Sequence, residues 1–402
     1  MKVTFIFNEM PYPPNHGGRV DVWRRIKAFK RAGIGIQFIC WVGDQPRSQP
    51  MPAHLDELRN YVDEIHLFTI GSDLISRILR LIRLTKYSSH VASRILNRAA
   101  AATLLSAVGS YRPDAVWLDA IYGGEIAISI SEHLGIPLYV RSHNIEHRYM
   151  KGQALLARSL RDRLMWGLAV FHLKKYETSL LQRSKYFFDC SYDDLLFWEG
   201  QGLGNGYYLP QTIDPETDLL ASPASPWTSR QFDVVFMGNL HSPNNVQGLL
   251  WFITEVLPFV IASRPDVTVL IAGSHPAQVI RDACAQRPNV TLVANPESSA
   301  DVYRAGKVLV NPVLAGSGVM VKSIEMLFFD AVLVSTPQGV YGVPPEAKAC
   351  FAVRDEPEGF GAAIVDALTN QGNETLVARR AVRKIFGDES LIPVINLIST
   401  NT

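Results

Sequence analysis

The sequence predicts an α/β protein of two doubly wound domains with parallel sheets, and three observations carry that expectation. A strand, a glycine loop and an amphipathic helix open the chain. The same pattern restarts after a Pro- and Ser-rich connection near mid-chain. From Val310 to Glu325, VNPVLAGSGVMVKSIE, a strand end runs into a glycine turn and then a helix. At 402 residues the chain is long for one hydrophobic core, so two domains of ~200 residues are expected.

Val3 to Phe7 is an apolar run of strand length, followed by the loop PYPPNHGG. From Arg19 to Ala32 the apolar Val20, Trp23, Ile26 and Phe29 recur at helical spacing with basic residues between them. Further strands are expected at 37–42, 64–68, 115–118, 137–141 and 186–190, with helical stretches between. Pro210 to Pro226 has no sustained apolar period and reads as a connection. The pattern resumes with a strand at 232–237, the turn GNLHSPNN and an amphipathic helix, then strands at 267–272, 290–293, 308–310 and 331–335. The expected division is 1–208, 209–386 and a terminal segment, 387–402. Two such domains would leave a ligand cleft at the carboxyl ends of their strands, where Gly17, Gly18, Gly316 and Gly318 fall.

With 47% hydrophobic and 19% charged residues the composition is that of an ordinary globular chain. MKVTFIFNEM reaches an Asn-Glu pair too soon for a signal peptide, and later uncharged runs such as Val308 to Val321 are broken by Pro and Gly. No bilayer-crossing segment is expected. Cys40, Cys190, Cys284 and Cys350 form no CxxC or Cys/His cluster, which argues against a disulfide framework or a zinc site and for a reducing cytoplasm.

Residues 1–208 carry 26 Lys/Arg against 19 Asp/Glu, a net +7, and the remainder carries 13 against 19, a net −6. Much of the basic excess lies in residues 73–98. There Arg77, Arg80, Arg83 and Lys86 recur every three residues among Ile75, Ile78, Leu79 and Ile82. One reading is the solvated face of a core helix. The other is peripheral contact with an anionic membrane, at ~1 kcal/mol per basic residue. A nucleic-acid partner is not expected.

The glycine turn at Val310 to Glu325 lets backbone N–H groups approach an anion, with the dipole of the following helix aimed at the same place. Lys322 can neutralise a phosphate. Glu325, one turn further on, can accept two hydrogen bonds from a diol such as ribose. The stretch therefore suggests a nucleotide or nucleotide sugar.

Five stretches lie in the order found in one known family: PYPPNHGGR from Pro11, RSHNIEHRYM from Arg141, Tyr176 with Glu177, GNLHSPNN from Gly238, and GSGVMVKSIEML from Gly316. Together they resemble glycosyltransferase family 4 over nearly the whole chain. The resemblance implies a GT-B fold, two Rossmann-like domains with the nucleotide sugar held mainly by the second and the acceptor by the first. It also implies retention of anomeric configuration, no cofactor and no required metal, and the lack of a convincing DxD motif agrees.

On this resemblance the donor-binding residues are Gly17, Gly18, Asn239, Asn245, Ser317, Gly318, Val319, Met320, Lys322 and Glu325. His143 takes the position of a polar residue near the reacting centre, with a satisfied structural histidine as its alternative. It is a catalytic candidate but not a general base, because the leaving phosphate can itself take the acceptor proton in a front-face reaction. Asn144 and Glu146 are acceptor-side candidates. The chain departs from the family at Ser317, where Glu is frequent, and at Asn239 and Asn244 or Asn245, where Arg and Lys are frequent. The first departure bears on the contacts to the transferred sugar, and the second shifts diphosphate binding towards Lys322 and backbone amides.

The expected activity is transfer of a hexose-type sugar to a saccharide, lipid-linked, in surface polysaccharide or glycolipid synthesis at the inner face of the cell membrane. A nucleotide-sugar 2-epimerase on the same fold and a non-catalytic partner subunit are the alternatives.

Overall fold

The computed structural model describes residues 1–14, 17–156, 159–213, 227–316, 318–370 and 382–399. The chain forms two compact units, Met1–Thr212 with Ser390–Thr402, and Ile213–Glu389.

The first unit is built on seven strands: β1 (Lys2–Phe7), β2 (Gly35–Gly43), β3 (Glu64–Ile70), β4 (Ala115–Asp119), β5 (Leu138–Ser142), β6 (Tyr186–Asp189) and β7 (Gly206–Tyr208). All pair in parallel, in the order β3-β2-β1-β4-β5-β6-β7. Helices cover both faces, so central strands read as continuous apolar runs; every residue of β4 is buried. Alternate side chains feed two cores. Ile6, Ile39, Val116 and Leu118 enter one, while Val3, Phe5, Phe38 and Trp117 enter the other, where Trp117 stacks on Phe188. The chain reverses direction across the sheet between β1 and β4, and the carboxyl end at such a switch point is where α/β sheets bind ligands.

The second unit repeats the plan with β8 (Phe232–Asn239), β9 (Val269–Ser274), β10 (Val290–Ala294), β11 (Gly306–Asn311), β12 (Val332–Ser335) and β13 (Phe351–Val353). The parallel order is β10-β9-β8-β11-β12-β13, which puts the switch between β8 and β11. Asn239 ends β8 and Asn311 ends β11.

Several expectations need correction. Strands β7 and β13 were not foreseen; at three residues each they are too short to display a period. The first long helix runs Gly17–Arg31, so Gly17 and Gly18 begin a helix and are not part of the preceding loop. The first unit extends to Thr212 because Arg141 bonds the carbonyls of Leu209 and Pro210 and Arg24 bonds that of Thr212. Residues 214–226 of the expected connection lie outside the described residues. At the other end of the chain Leu391, Val394 and Ile398 pack among Val3, Phe5 and Ile36 in the first unit's core.

Among the described residues one helix, Pro243–Ser263, is long and apolar enough to cross a membrane by length and composition, a run longer than the sequence reading noted. Its Leu249, Phe252, Ile253, Val256, Leu257 and Val260 are buried against Val234 and Val269, so it is a core helix of the second unit.

The basic stripe also differs from expectation. The helix Leu74–Arg83, capped by Asp73 through the Ser76 N–H, has no buried residue. Leu74, Ile75, Leu81 and Ile82 are 62–72% exposed, which removes the reading as a core helix with one solvated face. Arg80 turns back to the carbonyls of Ser76 and Gly71, and Arg83 to those of Ala92 and Ile95.

Candidate functional site

In the second unit the chain leaves β8 at Asn239, whose side-chain oxygen accepts the backbone N–H groups of His241 (2.9 Å) and Ser242 (3.1 Å). This local turn fixes the loop before the long helix. Asn245, on that helix, donates to the Asn239 carbonyl at 2.8 Å, and its side-chain oxygen accepts from Lys322 Nζ at 2.5 Å. Two motifs 77 positions apart in the chain are thus joined by one hydrogen bond.

Lys322 also lies 4.6 Å from the centroid of the Phe236 ring. Burial pulls its ammonium down to about 7, against the opposing attraction of Glu325. Glu325 accepts from the Tyr303 hydroxyl at 3.3 Å. Gly318 has φ +66°, a left-handed conformation that favours glycine, and a Cβ on Gly316 would lie 2.8 Å from the Met320 methyl. Val319 and Met320 lead from this turn into the helix. Ser317 lies outside the described residues.

The helix itself, Val321–Met326, has six residues, shorter than the sequence suggests. Its dipole is correspondingly small. Asn311 anchors the helix from below through Ser323 Oγ at 2.8 Å and the Gly339 carbonyl at 3.1 Å.

In the first unit His143 follows β5 and shares a 2.5 Å hydrogen bond, through Nε2, with Asp119 at the end of β4. Asp119 is fully buried and also accepts from Arg25 Nε (2.8 Å) and Trp117 Nε1 (3.0 Å). Arg25 bonds Asp21 at 2.5 Å, and Arg141 reaches the same Asp21 oxygen at 3.3 Å. Burial pushes the Asp119 carboxyl up, but Arg25, His143 and Arg141 outweigh it and hold it well below the usual range. The other ring nitrogen of His143, Nδ1, lies 3.9 Å from Asp21 Oδ2. Sequence reasoning missed Asp21, Arg25, Asp119 and Arg141.

Asp21, Asp119 and His143 offer ligand atoms within 4.8 Å of one another. Two guanidinium groups already balance the two carboxylates, so the set is a poor match for a divalent cation.

Glu146 is buried and accepts from the Tyr122 hydroxyl at 2.8 Å, with Asn144 also bonding its carboxylate. Glu177, from the Tyr-Glu pair, caps this segment by accepting the N–H groups of Glu146 (2.8 Å) and His147 (3.3 Å). That pair is structural. Gly17 and Gly18 belong to the first unit; a Cβ on Gly17 would meet nothing within 4 Å.

Burial raises the Glu146 carboxyl to about 7, and Glu177 adds to the rise. A raised carboxyl contributes stability that is full below pH 4.5 and lost as the pH climbs through 7, at up to ~1.4 kcal/mol per pH unit in that window. Thermal melts from pH 5 to 8 should therefore fall more steeply for the wild type than for Glu146→Gln. Parallel curves would contradict this.

Comparison with known proteins matches residues 231–370 to the family described as Glycosyl transferases group 1. The stretch spans β8 to the end of the helix Pro357–Asn370 and contains the Asn239–Asn245–Lys322 chain of contacts. Across 385 residues the chain is 24% identical to an uncharacterized 44.6 kDa protein in the cps region of Klebsiella pneumoniae, covering 92% of this chain and 91% of that one.

Among solved structures it is similar to HepE of Anabaena in complex with UDP (TM-score 0.65, 11% identity, all of both chains). It is also similar to sucrose-phosphate synthase of Thermosynechococcus elongatus (TM-score 0.64, 13% identity, 100% of this chain and 98% of that one). These likenesses, with the two parallel sheets, establish a GT-B fold.

Proposed function

We propose that the protein is a retaining glycosyltransferase of family 4 that moves a hexose-type sugar from a nucleotide donor to a saccharide acceptor. The carrying observation is the Lys322–Asn245 bond, which assembles a cation, a glycine turn and Glu325 inside the matched domain. A nucleoside diphosphate there would take Lys322 and the N–H groups of the turn for its phosphates and Glu325 for its ribose diol. The solved complexes of HepE with UDP and UDP-glucose support the same donor class. Asn144 and Glu146 serve the acceptor from the first unit, and His143 serves the reacting centre.

On this reading the acceptor is lipid-linked and belongs to surface polysaccharide synthesis, which the cps-region relative supports. The helix Leu74–Arg83 rests on an anionic membrane at the inner face of the cell membrane, with its unburied apolar side chains and Arg77 as the observations in favour. Flotation with anionic liposomes, weakened by salt and absent with neutral lipid, is the expected result. Transfer is metal-independent, so chelation with EDTA should leave turnover unchanged.

The test of the activity is incubation with UDP-, GDP- and ADP-sugars and a lipid-extractable acceptor fraction from cells. Transfer of label from one donor, with retained anomeric configuration by NMR, is expected. Label exchange from D₂O at C2 without an acceptor would replace this reading with an epimerase.

A further inference from the structure

The carboxyl ends of β2 and β3 and the helix Leu74–Arg83 border a cavity of about 270 Å³ in the first unit. Trp41 and Phe68, with ring centroids 6.1 Å apart, form its aromatic wall, and Arg80, Arg83 and Asn97 supply charged and amide groups. In this parallel sheet the cavity lies at the same edge at which Asp119 ends β4 and Ser142 ends β5. It also adjoins the acceptor-side residues. A Cβ on Gly123 would lie 3.1 Å from the Trp41 ring, and the neighbouring Tyr122 donates to Glu146 at 2.8 Å.

These groups are donors. Arg80 spends Nε and Nη2 on the carbonyls of Ser76 (3.3 Å) and Gly71 (3.0 Å), and Arg83 spends Nη1 on those of Ala92 (3.1 Å) and Ile95 (2.9 Å). Arg83 thereby keeps its Nε and Nη2 edge, the fork that takes a carboxylate through two parallel hydrogen bonds. Asn97 gives its side-chain oxygen to the Ala100 N–H at 2.9 Å, which leaves its NH₂ group. Trp41 is 2% exposed, and its Nε1–H has no hydrogen-bond partner among the described residues, an uncommon state for a buried indole.

Among the described residues neither Arg80 nor Arg83 is in an ion pair, and none that lines the cavity is acidic. Carbonyls hold a guanidinium plane in place but leave its charge unbalanced, so an anion completes the site. The aromatic wall bears on what carries that anion, because it suits a ring with C–H faces better than a bare ion. At about 270 Å³ the space falls just below the ~300–1,000 Å³ of pockets for drug-sized ligands, which fits one sugar residue.

We infer that this cavity selects an acidic sugar, a saccharide acceptor whose terminal residue is a hexuronic acid. Its carboxylate lies on the Arg83 fork, a hydroxyl oxygen accepts from the Trp41 N–H, and its ring lies against Phe68. Arg83 and Trp41 are then the residues that determine acceptor specificity. The inference rests on the saccharide acceptor of the proposed function and names its class.

The test is an NMR titration of the full chain with the methyl glycosides of glucuronic and galacturonic acid, each beside its neutral glucose or galactose counterpart, and with inorganic phosphate. At least one uronate should bind about tenfold more tightly than its neutral counterpart and than phosphate, as expected for a charge-assisted fork. Arg83→Gln should remove that preference and leave the neutral glycosides unaffected. Should Arg83→Gln melt early, Arg83→Lys keeps the charge without the fork and should cut the preference about threefold or more. Trp41→Phe retains an aromatic ring, deletes the unpartnered N–H and should weaken the uronate by about threefold as well. Equal binding of acidic and neutral glycosides, tighter binding of inorganic phosphate than of either uronate, or an unaltered preference in the Arg83 variants would each overturn the inference. Nucleotide-sugar binding and transfer on the same samples separate the two readings: transfer to neutral acceptors without uronate binding sinks the cavity assignment alone, and uronate binding without donor binding sinks the transferase.

Discussion

Replacing Asp119 by Ala should destabilise the first unit by about 3–5 kcal/mol and abolish transfer. The substitution strips the buried Arg25 of one of its two carboxylates and leaves the Trp117 N–H without an acceptor, and removing one member of a buried charge network is far worse than never having built it. Urea unfolding followed by Trp fluorescence reads the stability change; a loss below ~1 kcal/mol would mean that the network carries little of the fold. The role of His143 is separated by His143→Ala, which leaves both Asp–Arg pairs in place. That variant should lose less stability than Asp119→Ala, about 1–3 kcal/mol for the Asp119 oxygen left without its partner, and lose turnover at saturating donor, a fall in kcat with little change in KM for the nucleotide sugar.

The second large effect is expected at Lys322. Lys322→Ala removes the side-chain cation that reaches the glycine turn and should weaken nucleotide-sugar binding about 10- to 100-fold, or ~1.4–2.8 kcal/mol. There is a pH signature as well. The free ammonium sits near 7 because of its burial, and a bound diphosphate raises it, so binding takes up a proton. Donor affinity should therefore weaken as pH rises above 7 in the wild type, and this slope should vanish in Lys322→Ala. Using a nucleotide sugar in place of a free nucleoside diphosphate keeps the ligand's own titration out of the window. A slope that survives in Lys322→Ala would assign the proton to another group.

The sequence and the structure agree most closely where chemistry is local. Gly318, Lys322 and Glu325 share one turn and one short helix, so their proximity follows from chain spacing, and Asn245 joins them because its loop ends the neighbouring strand β8. The Asp119–Arg25–Asp21–Arg141 network was not legible. Its members are spread from residue 21 to residue 141, and only the switch between β1 and β4 brings them together. A charged residue inside a buried strand, such as Asp119 after Val116, Trp117 and Leu118, was the available signal.

The helix Leu74–Arg83 marks another limit. Its alternation of Ile, Leu and Arg is the pattern of a core-facing helix and of an interfacial one alike, and burial alone tells them apart. The helix Pro243–Ser263 is the opposite case, with an apolarity that suits a membrane and a position inside the second unit's core.

The central claim is that the second unit holds a nucleotide sugar at the turn before Lys322. A crystal structure of the full chain soaked with the nucleoside diphosphate selected by the donor panel tests it most directly. The account predicts the diphosphate within hydrogen-bond distance of Lys322 Nζ and the ribose hydroxyls on Glu325. Nucleotide bound with its phosphates away from Lys322, or ribose hydroxyls held by a group other than Glu325, would contradict it.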